Sequence, residues 1–178
     1  TAIGLRPRNG ELRYNRGYAF MSLGDTKSAL KEFIAATELD PNYALGVHYR
    51  AIAHLSLGQL DEAIRWFDRA VKLTPREPRV WYNRAQAWSK LDRRDRAIAD
   101  YSQSIALDPN FASAYNNRGT VHYRNGDNGA ALKDFLAAVA RNPRHANALY
   151  AAGQAAERLG RRRAAIGYYR RSVAIDPT

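Results

Sequence analysis

The chain has 178 residues, 46% of them hydrophobic, a formal net charge of +11 and no cysteine. This length and apolar content allow one folded unit. The missing cysteines exclude disulfides and thiolate metal sites, and the apolar runs are far too short to cross a bilayer. The sequence starts at Thr1 without a basic leader and apolar stretch, so the compartment is unreadable. The default expectation is a soluble cytoplasmic chain, with any export signal lying upstream.

Taken in order, the chain repeats itself every 34 residues. Ala2, Ile3, Leu5 and Pro7 match the end of a helix that recurs downstream, so residues 1–9 are expected to close a preceding unit. The proline returns at Pro41, Pro75, Pro109, Pro143 and Pro177. Twelve places ahead of each stand Ala29, Ala63, Ala97, Ala131 and Ala165, followed four residues on by Phe33, Phe67, Tyr101, Phe135 and Tyr169. A unit this short cannot bury its own apolar face and must stack on its neighbours. In each unit a first helix is expected up to a Leu-Gly turn (Leu23-Gly24, Leu57-Gly58, Leu159-Gly160) and a second one up to the proline. Leu91-Asp92 and Asn125-Gly126 take that place in units three and four, and aspartate accepts a left-handed backbone better than most residues.

This register, with Trp81, Trp88, Ala97, Tyr101 and Pro109 at its fixed offsets, resembles the tetratricopeptide repeat family. The resemblance implies an all-α, right-handed superhelical solenoid of antiparallel helix pairs. Its five repeats would span 10–43, 44–77, 78–111, 112–145 and 146–178. The arginine preference over lysine looks like the codon bias of a GC-rich bacterial genome. The chain ends where a sixth repeat or capping helix would follow, and is expected to be a fragment of a longer array or an array lacking its cap. Ile166, Tyr169 and Val173 on the last helix would then be partly uncovered and open to end-to-end self-association.

A second pattern departs from the simplest consensus. Arg16, Arg50, Arg84 and Arg118, then Ala152, precede the small residue of the first helix, and Glu32, Trp66, Asp100, Asp134 and Tyr168 stand sixteen residues later. This spacing predicts ion pairs Arg16–Glu32, Arg84–Asp100 and Arg118–Asp134, and a guanidinium of Arg50 stacked on Trp66.

Enzyme signatures are absent: no zinc-protease helix, phosphate-binding glycine loop or nucleophile elbow occurs. His54 and His122 stand where sister repeats place Phe20 and Trp88 and are expected to pack between helices. His48 and His145 lack a second histidine at helical spacing, so neither a metal site nor a cofactor is expected.

The resemblance places function on the inner face of the first helices, at repeat positions 2, 5, 6, 9 and 12. These are Glu11, Tyr14, Asn15, Tyr18 and Met21, then Leu45, His48, Tyr49, Ile52 and Leu55. Repeat three supplies Arg79, Tyr82, Asn83, Gln86 and Ser89, and repeat four Ser113, Asn116, Asn117, Thr120 and Tyr123. Repeat five adds Asn147, Tyr150, Ala151, Gln154 and Glu157. An aromatic and amide lining suits an extended peptide or a partner helix, because an amide both donates to and accepts from a peptide backbone. Asn15, Asn83 and Asn117 share one repeat position, interrupted by Tyr49 and Ala151. A carboxylate clamp for chaperone tails is not expected, because its cations are missing.

Charge supplies the competing reading. Basic against acidic residues stand at four to five in repeat one and six to two in repeat five. Arg93, Arg94 and Arg96, and Arg161, Arg162 and Arg163, crowd two turns. Nucleic acid or an anionic surface could use that end. It ranks second, because the arginines lie at turns while the rings that could stack on bases face the groove.

Overall fold

The computed structural model describes residues 10–176. Ten α-helices occupy them: α1 (Gly10–Ser22), α2 (Thr26–Leu39), α3 (Ala44–Ser56), α4 (Leu60–Leu73) and α5 (Pro78–Lys90), then α6 (Arg94–Leu107), α7 (Ala112–Arg124), α8 (Asn128–Arg141), α9 (Ala146–Arg158) and α10 (Arg162–Ile175). No strand occurs among the described residues. The expected closing turn at Ala2, Ile3, Leu5 and Pro7 lies outside them, as does Pro177. Packing divides the helices into two compact units, one up to Leu91 and one from Asp92.

Local chemistry sets the helix ends. Asp25 accepts from the Ser28 N–H (3.0 Å) and caps α2, and Asp127 accepts from Ala130 (2.9 Å) and caps α8. Pro78 opens α5, where its missing N–H costs nothing. Between the helices of a pair the chain turns through a left-handed residue, Gly24 at φ 82° and Gly126 at φ 84°. Asp92 takes the same place at φ 55°, so the turn survives without glycine, as the sequence predicts.

Pairs close because small residues face rings. A Cβ on Gly17 would fall 2.7 Å from Phe33 Cε1, and one on Gly119 would fall 2.9 Å from Phe135 Cε1. Ala29, Ala63, Ala97 and Ala131 are wholly buried. In the first unit Ala51, Leu55, Ala63, Ile64, Phe67 and Ala87 form a cluster that joins three helices. In the second, Ala131, Leu132, Phe135, Ala152, Ala155, Ala156 and Ala165 do the same. Burying one such phenylalanine contributes about 1.5 to 3 kcal/mol, gained both within its own repeat and against the next.

Three of the arginine pairings form. Arg16 is ion-paired with Glu32. Arg118 grips Asp134 with two bonds of 2.8 and 2.7 Å. The Arg50 guanidinium lies 3.7 Å over the Trp66 ring. Arg84 donates to Asp68 of the preceding repeat (2.8 Å); its pairing with Asp100, which belongs to the other unit, stays an expectation. Sequence spacing did not suggest the second partners: Arg118 also donates to Ser102 (2.8 Å) and Arg50 to Thr37 (2.8 Å). Each of these arginines thus ties a first helix to the second helix of the repeat before it.

Within each unit the first helices touch one another: α1 meets α3, α3 meets α5, and α7 meets α9. Among the described residues the second helices of a unit do not. First helices therefore form the inner layer of each stack and second helices the outer one.

Candidate functional site

In the first unit the inner layer begins with a ledge of rings. Tyr14 meets Tyr49 edge-on at 5.3 Å between centroids, and Tyr18 meets Tyr49 at 5.5 Å. Tyr18 remains 48% exposed. Burial, with Tyr49 and Tyr43 close by, pushes the Tyr14 phenol up to about 12, so it stays a neutral hydrogen-bonding group. Asn15, beside this ledge, is exposed.

Next to the ledge lies a pocket of about 450 Å³ lined by Ala44, Leu45, His48, Tyr49, Thr74, Glu77, Arg79 and Val80. Leu45 is 48% exposed, whereas His48 is buried. Asn83 Nδ2 donates to His48 Nε2 at 3.0 Å. Burial, reinforced by the positive charge of Arg79, lowers the His48 pKa to about 4, so the ring is neutral near pH 7. Glu77 caps α5 by accepting from the Arg79 backbone N–H at 3.3 Å. Gln86 donates to the Tyr82 hydroxyl at 3.0 Å. The structure thus brings Tyr14, Tyr18, Tyr49, His48, Arg79 and Asn83 together, with His48 acting through its edge. Ala44, Thr74, Glu77 and Val80 were not among the predicted positions: Thr74 and Glu77 stand in the loop between repeats, and Ala44 and Val80 lie in the first turns of α3 and α5, off the predicted inner-face positions.

The second unit carries a thinner version. Asn116 donates to Asn117 Oδ1 at 3.1 Å, so one amide of this pair is engaged by its neighbour. Arg158 lies 4.5 Å over the Tyr123 ring. Tyr150 is 54% exposed and meets Tyr169 at 5.5 Å. Gln154 is partly buried.

The remaining candidates behave structurally. His54 is buried, with Nδ1 2.6 Å from Gln59 Oε1. His122 Nε2 stands 4.0 Å from Asp134, and His145 accepts from Ala148 to cap α9. Among the described residues no group of three or more His, Asp or Glu side chains is placed to hold a metal. No described helix is long and apolar enough to cross a membrane. At the basic turn, Arg93, Arg94 and Arg96 share a wide cavity with Asp92 and Asp95, and Arg94 is held by Asp92 through bonds of 2.8 and 3.3 Å.

Stacked antiparallel helix pairs with a 34-residue register define a helical-repeat protein. Residues 1–44, 14–78 and 116–178 match the tetratricopeptide repeat, and residues 93–126 match a TPR repeat. The chain belongs to the tetratricopeptide repeat family. A search of curated proteins finds no match. Among solved structures, a crystal structure of MamA superposes with a TM-score of 0.84 at 22% identity, over 90% of this chain and 94% of that one. MamA from Desulfovibrio magneticus RS-1, from its residue 41 to its end, gives 0.86 at 18% identity, over 94% and 95%. YrrB, described as a TPR protein with an unusual peptide-binding site, gives 0.79 at 22% identity, over 99% and 91%. At these identities the likeness is one of fold.

Proposed function

We propose that this protein is a non-enzymatic interaction scaffold of five repeats that holds an extended peptide or a partner helix against its first helices. One observation carries the reading. The inner layer of the first unit gathers a half-exposed aromatic ledge, an open pocket and amides in one place. Rings with polar tips give contact area at small entropic cost, and amides match a peptide backbone. The peptide-binding site of YrrB, on the same fold, adds support. The basic turn favours the phosphate alternative less, because Asp92 and Asp95 line the same cavity as its arginines.

The test is a selection of peptides on the purified chain at about 0.15 M salt, beside an Asn83→Ala, Asn117→Ala double variant. A shared motif that binds wild type and loses at least about tenfold in the variant, about 1.4 kcal/mol, supports the scaffold reading. Peptides bound equally by both proteins would clear the groove asparagines and move the search to the basic turns and α10.

A second surface is self-association through α10, where Ile166 is 51% and Val173 60% exposed. Tyr169 takes less part, since its ring is only partly exposed, lies over Gly153, and its hydroxyl donates to Glu157 at 3.0 Å. Sedimentation of wild type beside Ile166→Lys tests this: a concentration-dependent mass that the lysine abolishes is expected, and identical monomers would exclude it.

A further inference from the structure

The pocket of the first unit has a chemistry that narrows the ligand, and the argument rests on the peptide-binding reading above. The arginines that precede the small residue on the first helices are consumed by the fold. Arg16, Arg84 and Arg118 each hold a carboxylate, and Arg50 stacks on Trp66. Arg79 differs. It is exposed at the pocket's mouth, and among the described residues its guanidinium has no acceptor. The one carboxylate lining the pocket, Glu77, is fixed to the end of α5 by the Arg79 backbone N–H. A cation that packing leaves over, beside a cavity of about 450 Å³, is a group available to a ligand.

His48 adds a second donor. With the Asn83 amide donating to Nε2, the neutral ring carries its proton on Nδ1. Nothing among the described residues accepts from that Nδ1–H. A guanidinium and a neutral N–H lining one pocket favour an anionic acceptor with oxygen atoms. Ala44, Leu45, Val80 and the Tyr49 ring make the rest of the wall largely apolar, and the Thr74 hydroxyl is turned away onto the Ala70 carbonyl. The His48 and Tyr49 ring centres are 5.7 Å apart. That is close to the roughly 6.6 Å between side chains two apart on one side of an extended peptide.

We infer that this pocket reads an aspartate or glutamate side chain within an extended peptide, its carboxylate on Arg79 and a neighbouring apolar side chain against Leu45 and the Tyr18–Tyr49 ledge. An internal side chain fits better than a terminal carboxylate for two reasons. The pocket supplies one cation instead of several. The inner layer also continues on both sides, to Tyr14 on α1 and to Asn83 on α5, so the peptide has surface to follow beyond the pocket.

The experiment uses acetylated, amidated dodecapeptides selected on the whole chain at about 0.15 M salt. Each enriched peptide is then remade with Asn or Gln in place of Asp or Glu. Wild type should enrich one acidic position at fixed distance from a Leu or Phe, and the amide substitution should weaken binding about fivefold to tenfold. Arg79→Gln should bind acidic and amide peptides within about twofold of one another, and Arg79→Glu should enrich Lys or Arg at that position. Arg79 is exposed, and unchanged helical circular dichroism will show both variants folded. Peptides lost in the Asn83→Ala, Asn117→Ala variant but indifferent to their acid and to Arg79 would overturn the pocket assignment while the groove stands. In a parallel set with free C-termini, binding confined to peptides that carry the terminal carboxylate also overturns it. Failure of every peptide to bind removes the groove reading and this inference together.

Discussion

Lowering the pH should unload stability through His48, and the size of the effect follows from its surroundings. The ring is buried, its Nε2 accepts from Asn83, and Arg79 stands nearby as a second positive charge. Protonation would place a charge in a desolvated site and convert the acceptor into a donor facing Asn83. The unfolded chain binds this proton near 6.5, the folded one only near 4. Between those values the unfolded state holds more protons, so stability falls as the pH drops. The contribution is complete above about pH 6.5 and gone near pH 4. At about 1.4 kcal/mol per pH unit, the gap corresponds to about 3 kcal/mol, a sizeable part of what holds a domain this size together. Urea denaturation followed by circular dichroism from pH 7 to pH 4.5, on wild type and His48→Gln, isolates the term. Glutamine keeps an acceptor for Asn83 and does not titrate, while the acidic residues contribute equally to both proteins. Wild type should lose stability faster by an amount approaching that figure. Parallel curves, or an imidazole proton resonance that titrates near 6.5, would refute the reasoning.

Other expectations concern the repeat geometry. Gly153→Ala should destabilise by about 1 to 3 kcal/mol, since its Cβ would fall 2.8 Å from Tyr169 Cζ. Gly167→Ala, mid-helix in α10 and facing open space, should instead stabilise by about 0.5 to 1 kcal/mol, and opposite shifts in thermal melting would confirm the pair. Asp92→Gly should relieve the left-handed turn at φ 55° and raise the melting temperature slightly. Arg118→Ala leaves Asp134 buried without its bidentate partner and should cost about 3 to 5 kcal/mol, read by urea denaturation. Much of that loss should return when Asp134→Leu is added.

The periodic parts of this structure were legible because each periodic residue answers one local need. A proline ends a second helix, glycine or Asp92 makes a left-handed turn, and Gly17 or Gly119 lets a ring approach. The ion pairs of Arg16 and Arg118 were legible for the same reason, since both partners lie in one repeat. The pocket was not. Its wall takes Leu45 and His48 from one repeat's first helix and Arg79 from the next, and Thr74 and Glu77 from the loop between, where no periodicity holds a residue in place. The burial of His48 was hidden too. Its position in the repeat is an inner-face one, and only the contact with Asn83, 35 residues on, shows that its edge is covered.

The arginine ties also bear on how such a chain grows. Arg118 reaches Asp134 sixteen residues ahead and Ser102 sixteen residues behind, and Arg84 reaches Asp68 sixteen behind. Plug and socket are thus written at equal offsets on either side of the same residue. A tandem duplication of a 34-residue stretch that holds Ser102, Arg118 and Asp134 together would carry both with it, and the new copy would close with the bonds its parent used. Lengthening the array by copying needs no invention at the seam, so a single mutational event yields a joint that already fits.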